Sequence, residues 1–162
     1  YIQKTGDMFG YHNDSVMLKN IGLSDIRTYI KILFTNVEKP GPFDGLFMSS
    51  QTLMGNDEAI ISKIGSVVQF FTFDSILNVS FVFSVFAFLG CWKLFKIFTK
   101  IYPYKTKLIA IFCLFFPSLV FWGSCISKDS ICIGALGYMT YAFFQLFVYK
   151  ENKLKNFILL TI

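Results

Sequence analysis

Two short stretches hold the residues whose types and spacing could do chemistry. The first is Gly6-Asp-Met-Phe-Gly-Tyr-His-Asn-Asp14, which gathers two carboxylates, a phenol and the chain's single histidine. A carboxylate just outside a membrane can act as a general base, or can bind a cation that holds a phosphate. Burial at such a surface raises its pKa. The plainer role is a helix cap, with Asp7 or Asp14 accepting backbone N–H bonds. The second stretch is Phe116-Pro-Ser-Leu-Val-Phe-Trp-Gly-Ser-Cys-Ile-Ser-Lys-Asp-Ser130. Lys128 offers a cationic donor to a phosphate, and Asp129 offers an acceptor to a hydroxyl or a metal. Here too a plain role exists. Ser127 and Asp129 can cap the following helix while Lys128 snorkels to the surface.

The elements that must position these groups are membrane spans. Residues 75–92, 108–126 and 131–149 are charge-free runs of 18, 19 and 19 residues. At 1.5 Å per residue each is about 28 Å long, enough to cross the hydrocarbon core. The 162-residue chain has a mean hydropathy of +0.56 and 15% charged residues, against roughly 25% in a soluble domain. The expected fold is all-α, a polytopic bundle of transmembrane helices. The chain opens on Tyr1 and stops in the apolar run 156–162. It therefore reads as a fragment, with the start of another span at 156.

Lysines orient the spans. Lys93, Lys96, Lys100, Lys105 and Lys107 follow the first run with no acid among them, and 150–155 holds three lysines and one Glu. Lysine-rich loops belong on the cytoplasmic side. The 127–130 hairpin and the whole of 1–66 are then extracytoplasmic, which puts Asp7 and Asp129 on one face of the membrane. The net charge of +5 is explained by lysines flanking spans, and this distribution argues against nucleic acid as a partner.

Residues 1–66 are mixed and nearly neutral. Met8 to Phe34 carries a loose helical period, with Met17, Ile21, Ile26, Ile30 and Leu33 as the expected buried face. Lys39-Pro-Gly-Pro-Phe-Asp-Gly45 is turn chemistry. Asn56-Asp-Glu58 offers a cap and acids for a helix. Behind it Ile60, Ile61, Ile64, Val67, Val68 and Phe71 fall near 3.6-residue spacing, which predicts an amphipathic helix lying in the membrane interface. The bland alternative is an outer extension of the next span. The expected organisation is thus 1–66 as an extracytoplasmic loop with an interfacial helix, and 67–162 as the transmembrane region. Pro117 predicts a kink in mid-span, and Gly134 and Gly137 predict a close helix approach. Cys91, Cys113, Cys125 and Cys132 read as small buried apolar residues, with a Cys125–Cys132 bridge as the alternative.

The order of these features resembles the N-terminal half of a GT-C-type membrane glycosyltransferase. That superfamily draws sugars from dolichyl- or undecaprenyl-phosphate carriers. Asp7, Tyr11 and His12 are similar to its acidic first external loop, and the helix near 56–71 to its interfacial helix. Pro117-Ser-Leu-Val-Phe-Trp122 with Lys128-Asp-Ser130 resembles a bacterial group of GT-C-like membrane proteins. The likeness covers residues 5–150. It implies a multi-pass protein of the inner (plasma) membrane. Its reaction would be inverting transfer of a sugar from a polyprenyl-phosphate donor to a glycan or lipid acceptor. Asp7 would be the catalytic base, and Tyr11 and His12 would line the acceptor side. Lys128 and Asp129 would sit near the donor phosphate, directly or through a divalent cation; no residue is assigned as a metal ligand, and a divalent cation is the one cofactor the resemblance allows. The family often pairs its first acid with a second, but Gly6 is the neighbour here, so the resemblance leaves Asp14, a substrate-binding residue, to do that second acid's work. Two other classes compete: a non-enzymatic flippase or polymerase-like component of polysaccharide export, and a transporter. A transporter should carry ionisable groups inside its spans, and the three runs have none between their ends.

Overall fold

The computed structural model describes residues 7–34 and 59–147, all helical or in short connections, with no strand among the described residues. The chain divides into two compact units. One comprises residues 1–82 with 126–128, the other 83–125 with 129–162. The turn at 39–45, the cap at 56–58 and the span start at 156 lie outside the described residues.

In the first unit, α1 (Asp7–Ser24) and α2 (Ile26–Phe34) are separated at Asp25. Its carboxylate accepts the Arg27 N–H at 3.0 Å and the Thr28 hydroxyl at 2.6 Å. These are the bonds of a helix N-cap, so a new helix starts there. α3 (Ala59–Thr72) packs on α1. Leu18, Ile21, Tyr29 and Ile32 form an apolar cluster, with Met17, Leu33 and Ala59 against it. The expected face is therefore half right. Met17, Ile21 and Leu33 point inward, but Ile26 and Ile30 are exposed. The restart at Asp25 explains the error, because one helical period cannot be carried across a break.

α3 is inverted relative to a helix of a soluble core. Its buried positions are Ile61, Ser62, Gly65, Ser66, Gln69 and Thr72. Its exposed positions include Ile60, Ile64, Val67 and Phe71. The apolar spacing correctly marks a helix, yet most of that apolar face points outward.

The connection to the next helix, Phe73-Asp74-Ser75, takes left-handed backbone at Phe73 (φ 52°) and Asp74 (φ 59°). Asp tolerates this conformation far better than Phe does. Lys19 fixes the turn by donating to both Asp74 carboxylate oxygens at 2.7 Å.

α4 (Ile76–Ile101) is 26 residues long. It runs through Lys93, Lys96 and Lys100, which the sequence reading placed in a loop. A 3₁₀ turn, Pro103–Lys105, leads into α5 (Thr106–Leu114) and then α6 (Pro117–Gly123). Pro117 is the first residue of α6, and Phe116 before it is extended (φ −67°, ψ 120°). Proline excludes helical backbone from the preceding residue, and the two segments meet at a 42° bend. The expected kink is thus a break. α7 spans Lys128–Phe147. Lys128, Asp129 and Ser130 lie inside its first turn, so the hairpin loop lies before Lys128.

α4 and α7 are long and apolar enough to cross a membrane, and the bent segment 103–123 makes a third crossing if it is one span. Small residues face inward where these helices meet in the second unit. Ala87, Gly90 and Cys91 are buried on α4 together with the larger Phe83 and Ile97, and Ser130, Gly134, Gly137, Ala142 and Gln145 are buried on α7. A Cβ built on Gly90 would fall 2.6 Å from the Gly134 Cα, and one on Gly137 would land on the Gly90 backbone. Large side chains such as Phe88, Leu89, Trp92, Leu136 and Phe143 are outside. Small residues between helices and large apolar ones facing out is the arrangement expected where the surroundings are lipid. All four cysteines are free thiols. Cys91 is buried, whereas Cys132 is exposed because it lies on the outer side of α7.

Candidate functional site

The first unit is held together by a polar seam. Tyr11, Asp14, Ser15, Leu18, Ile21 and Gly22 recur at three- and four-residue spacing on α1, and all are buried. They meet the small and polar stripe of α3. Gly65 permits the approach, since a Cβ there would collide with the Ser15 hydroxyl. The Ser15 Oγ donates to the Tyr11 carbonyl at 2.5 Å or to the Ser62 carbonyl at 3.2 Å. Tyr29 reaches in from α2, with its hydroxyl 3.0 Å from the Ser66 Oγ and its ring edge-on to Phe70.

His12 and Gln69 add a directional chain. The Thr72 hydroxyl donates to the Gln69 Oε1 at 3.1 Å, and the Gln69 amide lies 2.9 Å from the His12 Nδ1. In this orientation the Gln69 amide N–H donates to Nδ1.

Asp14 stands apart within this seam. It is 5% exposed, and its Oδ2 has no hydrogen-bond partner. Removal from water disfavours the charged form and pushes its pKa up to about 6. The Ser62 hydroxyl is buried and unpartnered as well. Buried polar atoms almost always find partners, so Asp14 Oδ2 and Ser62 Oγ are exceptions among the described residues. Asp14 is chemically a carboxylic acid whose loss of a proton burial has moved up to about pH 6.

Among the candidates from sequence, Tyr11, His12 and Asp14 are brought together on α1. Tyr11 is buried, His12 half-buried. Asp7 opens α1, and the role expected of its carboxylate lies outside the described side chains. Lys128 and Asp129 open α7, where an acid in the first turn complements the helix dipole. Asp129 lines an open groove of 300 Å³ with Ser118, Leu119, Trp122, Cys132 and Ile133. Among the described residues no three His, Cys, Asp or Glu side chains gather into a metal-ligating group, and no step through a cation is derived. Sequence reasoning missed Ser15, Ser62, Ser66, Gln69, Thr72 and the Lys19–Asp74 pair. The signal was present in the spacing of Ser62, Gly65, Ser66, Gln69 and Thr72, a stripe of small and polar residues on one helical face.

Compared with known proteins, the chain matches no family model, no curated protein and no solved structure.

Proposed function

We propose that this chain belongs to a membrane glycosyltransferase of the GT-C type, with Asp14 as the general base. The observation that carries the reading is the desolvated Asp14 carboxylate, with a pKa of about 6 and an unpartnered Oδ2. A general base works best when its pKa lies near the operating pH. The acceptor hydroxyl donates to Oδ2 and passes its proton to Asp14. Its oxygen attacks the anomeric carbon of the donor sugar. The bond from that carbon to the prenyl-phosphate oxygen breaks, and the electron pair leaves with the phosphate. Attack opposite the leaving group inverts the anomeric centre. By the resemblance, Lys128 and Asp129 would serve the donor phosphate. Tyr11 and His12 border the acceptor. Asp7 is the competing base, on the resemblance alone.

Support for a lipid-linked donor comes from the surroundings. Two helices are apolar enough to cross a membrane, and α3 carries an outward apolar face three residues before the first of them. The test is transfer in proteoliposomes. Full-length protein receives a radiolabelled polyprenyl-phosphate hexose, and wild type is compared with Asp14→Asn and Asp7→Asn. Transfer that is lost in Asp14→Asn and kept in Asp7→Asn supports the assignment. Movement of the lipid between leaflets without sugar transfer would instead favour the export reading.

A further inference from the structure

The outer face of α2 is left unused by the seam. Ile26, Ile30 and Phe34 recur every four residues and are 57%, 49% and 87% exposed, and Leu23 near the end of α1 is exposed as well. Arg27 and Lys31, each one residue further on, form a neighbouring row. Both are exposed, and neither has a carboxylate partner among the described residues. Asp25, the acid next to Arg27 in α2's cap, accepts from the Arg27 N–H and the Thr28 hydroxyl. On its inner side α2 is already fixed, because Tyr29 and Ile32 are buried and Tyr29 bonds to Ser66 on α3. The isoleucines therefore cannot turn inward without breaking the seam.

An apolar row bordered by exposed cations is the composition of a helix that lies in the headgroup region of an anionic bilayer. The bilayer is also within reach. The same unit passes from α3 into α4, a candidate span, through only Phe73, Asp74 and Ser75. We propose that α2 is a membrane contact in its own right. Leu23, Ile26, Ile30 and Phe34 seat at the acyl boundary, and Arg27 and Lys31 bind the phosphates of anionic phospholipids. This holds whether or not the protein transfers sugars.

The test places a spin label at Ile30→Cys in full-length protein lacking its native cysteines, reconstituted in nanodiscs rich in phosphatidylglycerol. A label at Asn20→Cys, an exposed polar position on α1, is the reference. The Ile30 label is expected to collide with oxygen in preference to a water-soluble nickel chelate, and the Asn20 label the reverse. In phosphatidylcholine discs, or with Arg27→Gln and Lys31→Gln together, the embedded-to-aqueous ratio at Ile30 should fall roughly tenfold or more. An Ile30 label as wet as Asn20 overturns the proposal. So does a label shielded from both reagents, which would mean a protein contact, or an embedded label indifferent to lipid charge. If the cysteine-free protein does not fold, Ile30→Trp with Trp92→Phe and Trp122→Phe reads the same depth through quenching by brominated lipid.

Discussion

Replacing Gly90 by alanine should loosen the α4–α7 crossing measurably. A Cβ at Gly90 would stand 2.5 Å from the Gly134 carbonyl oxygen and 2.6 Å from its Cα. Both atoms are backbone and cannot rotate away. Opening the second distance to the 3.4 Å of ordinary contact requires the helices to separate by about 0.8 Å. Overpacking of this kind costs about 1–3 kcal/mol, which lowers the apparent melting temperature in detergent by about 3–9 °C for a chain of this size. Leu136→Ala, on the outer side of α7, is the control and should change little. Gly137→Ala should act in the same direction, because its Cβ would meet the Gly90 backbone. The double variant should lose less than the two single losses added together, since one separation relieves both clashes. An unchanged melting temperature for Gly90→Ala, with the control also unchanged, would refute the close crossing.

Other consequences can be measured on the same preparations. Gly65→Ala should destabilise the protein by about 1–2 kcal/mol through collision with Ser15, and adding Ser15→Ala should restore part of that loss in thermal melts. Phe73→Asn should stabilise it by about 1 kcal/mol in detergent, because Asn accepts the left-handed backbone that strains Phe. Asp14 makes stability depend on pH. Its pKa rises from 3.8 unfolded to about 6 folded, so its favourable contribution is full below pH 3.8 and is lost as pH rises through 6. The gap corresponds to about 3 kcal/mol. Asp14→Asn should flatten that dependence and melt higher than wild type at pH 8.

The candidate spans were legible because a bilayer demands long runs without charge, and Pro117 announced its break through steric rules that hold in any solvent. The glycine contact on α7 was legible too, but its partner Gly90 was not, since a lone glycine in a span has no visible register. The inward face of α2 was misread because the restart at Asp25 breaks the helical period that the sequence pattern assumes. Apolar spacing identified α3 as a helix, but the apolar residues alone did not name the side that packs on α1. In α3 the informative residues were Ser62, Gly65, Ser66, Gln69 and Thr72. Asp14 could be singled out as an acid, while its lost hydration depends on α3, which is about fifty residues away along the chain.

The most direct measurement is sugar transfer from a polyprenyl-phosphate hexose as a function of pH, for wild type and Asp14→Asn in the same proteoliposomes. The account predicts that the wild-type rate rises through about pH 6 as Asp14 loses its proton. It also predicts that Asp14→Asn loses transfer while becoming more stable at pH 8. Undiminished transfer by Asp14→Asn, with the wild-type pH profile, would contradict it.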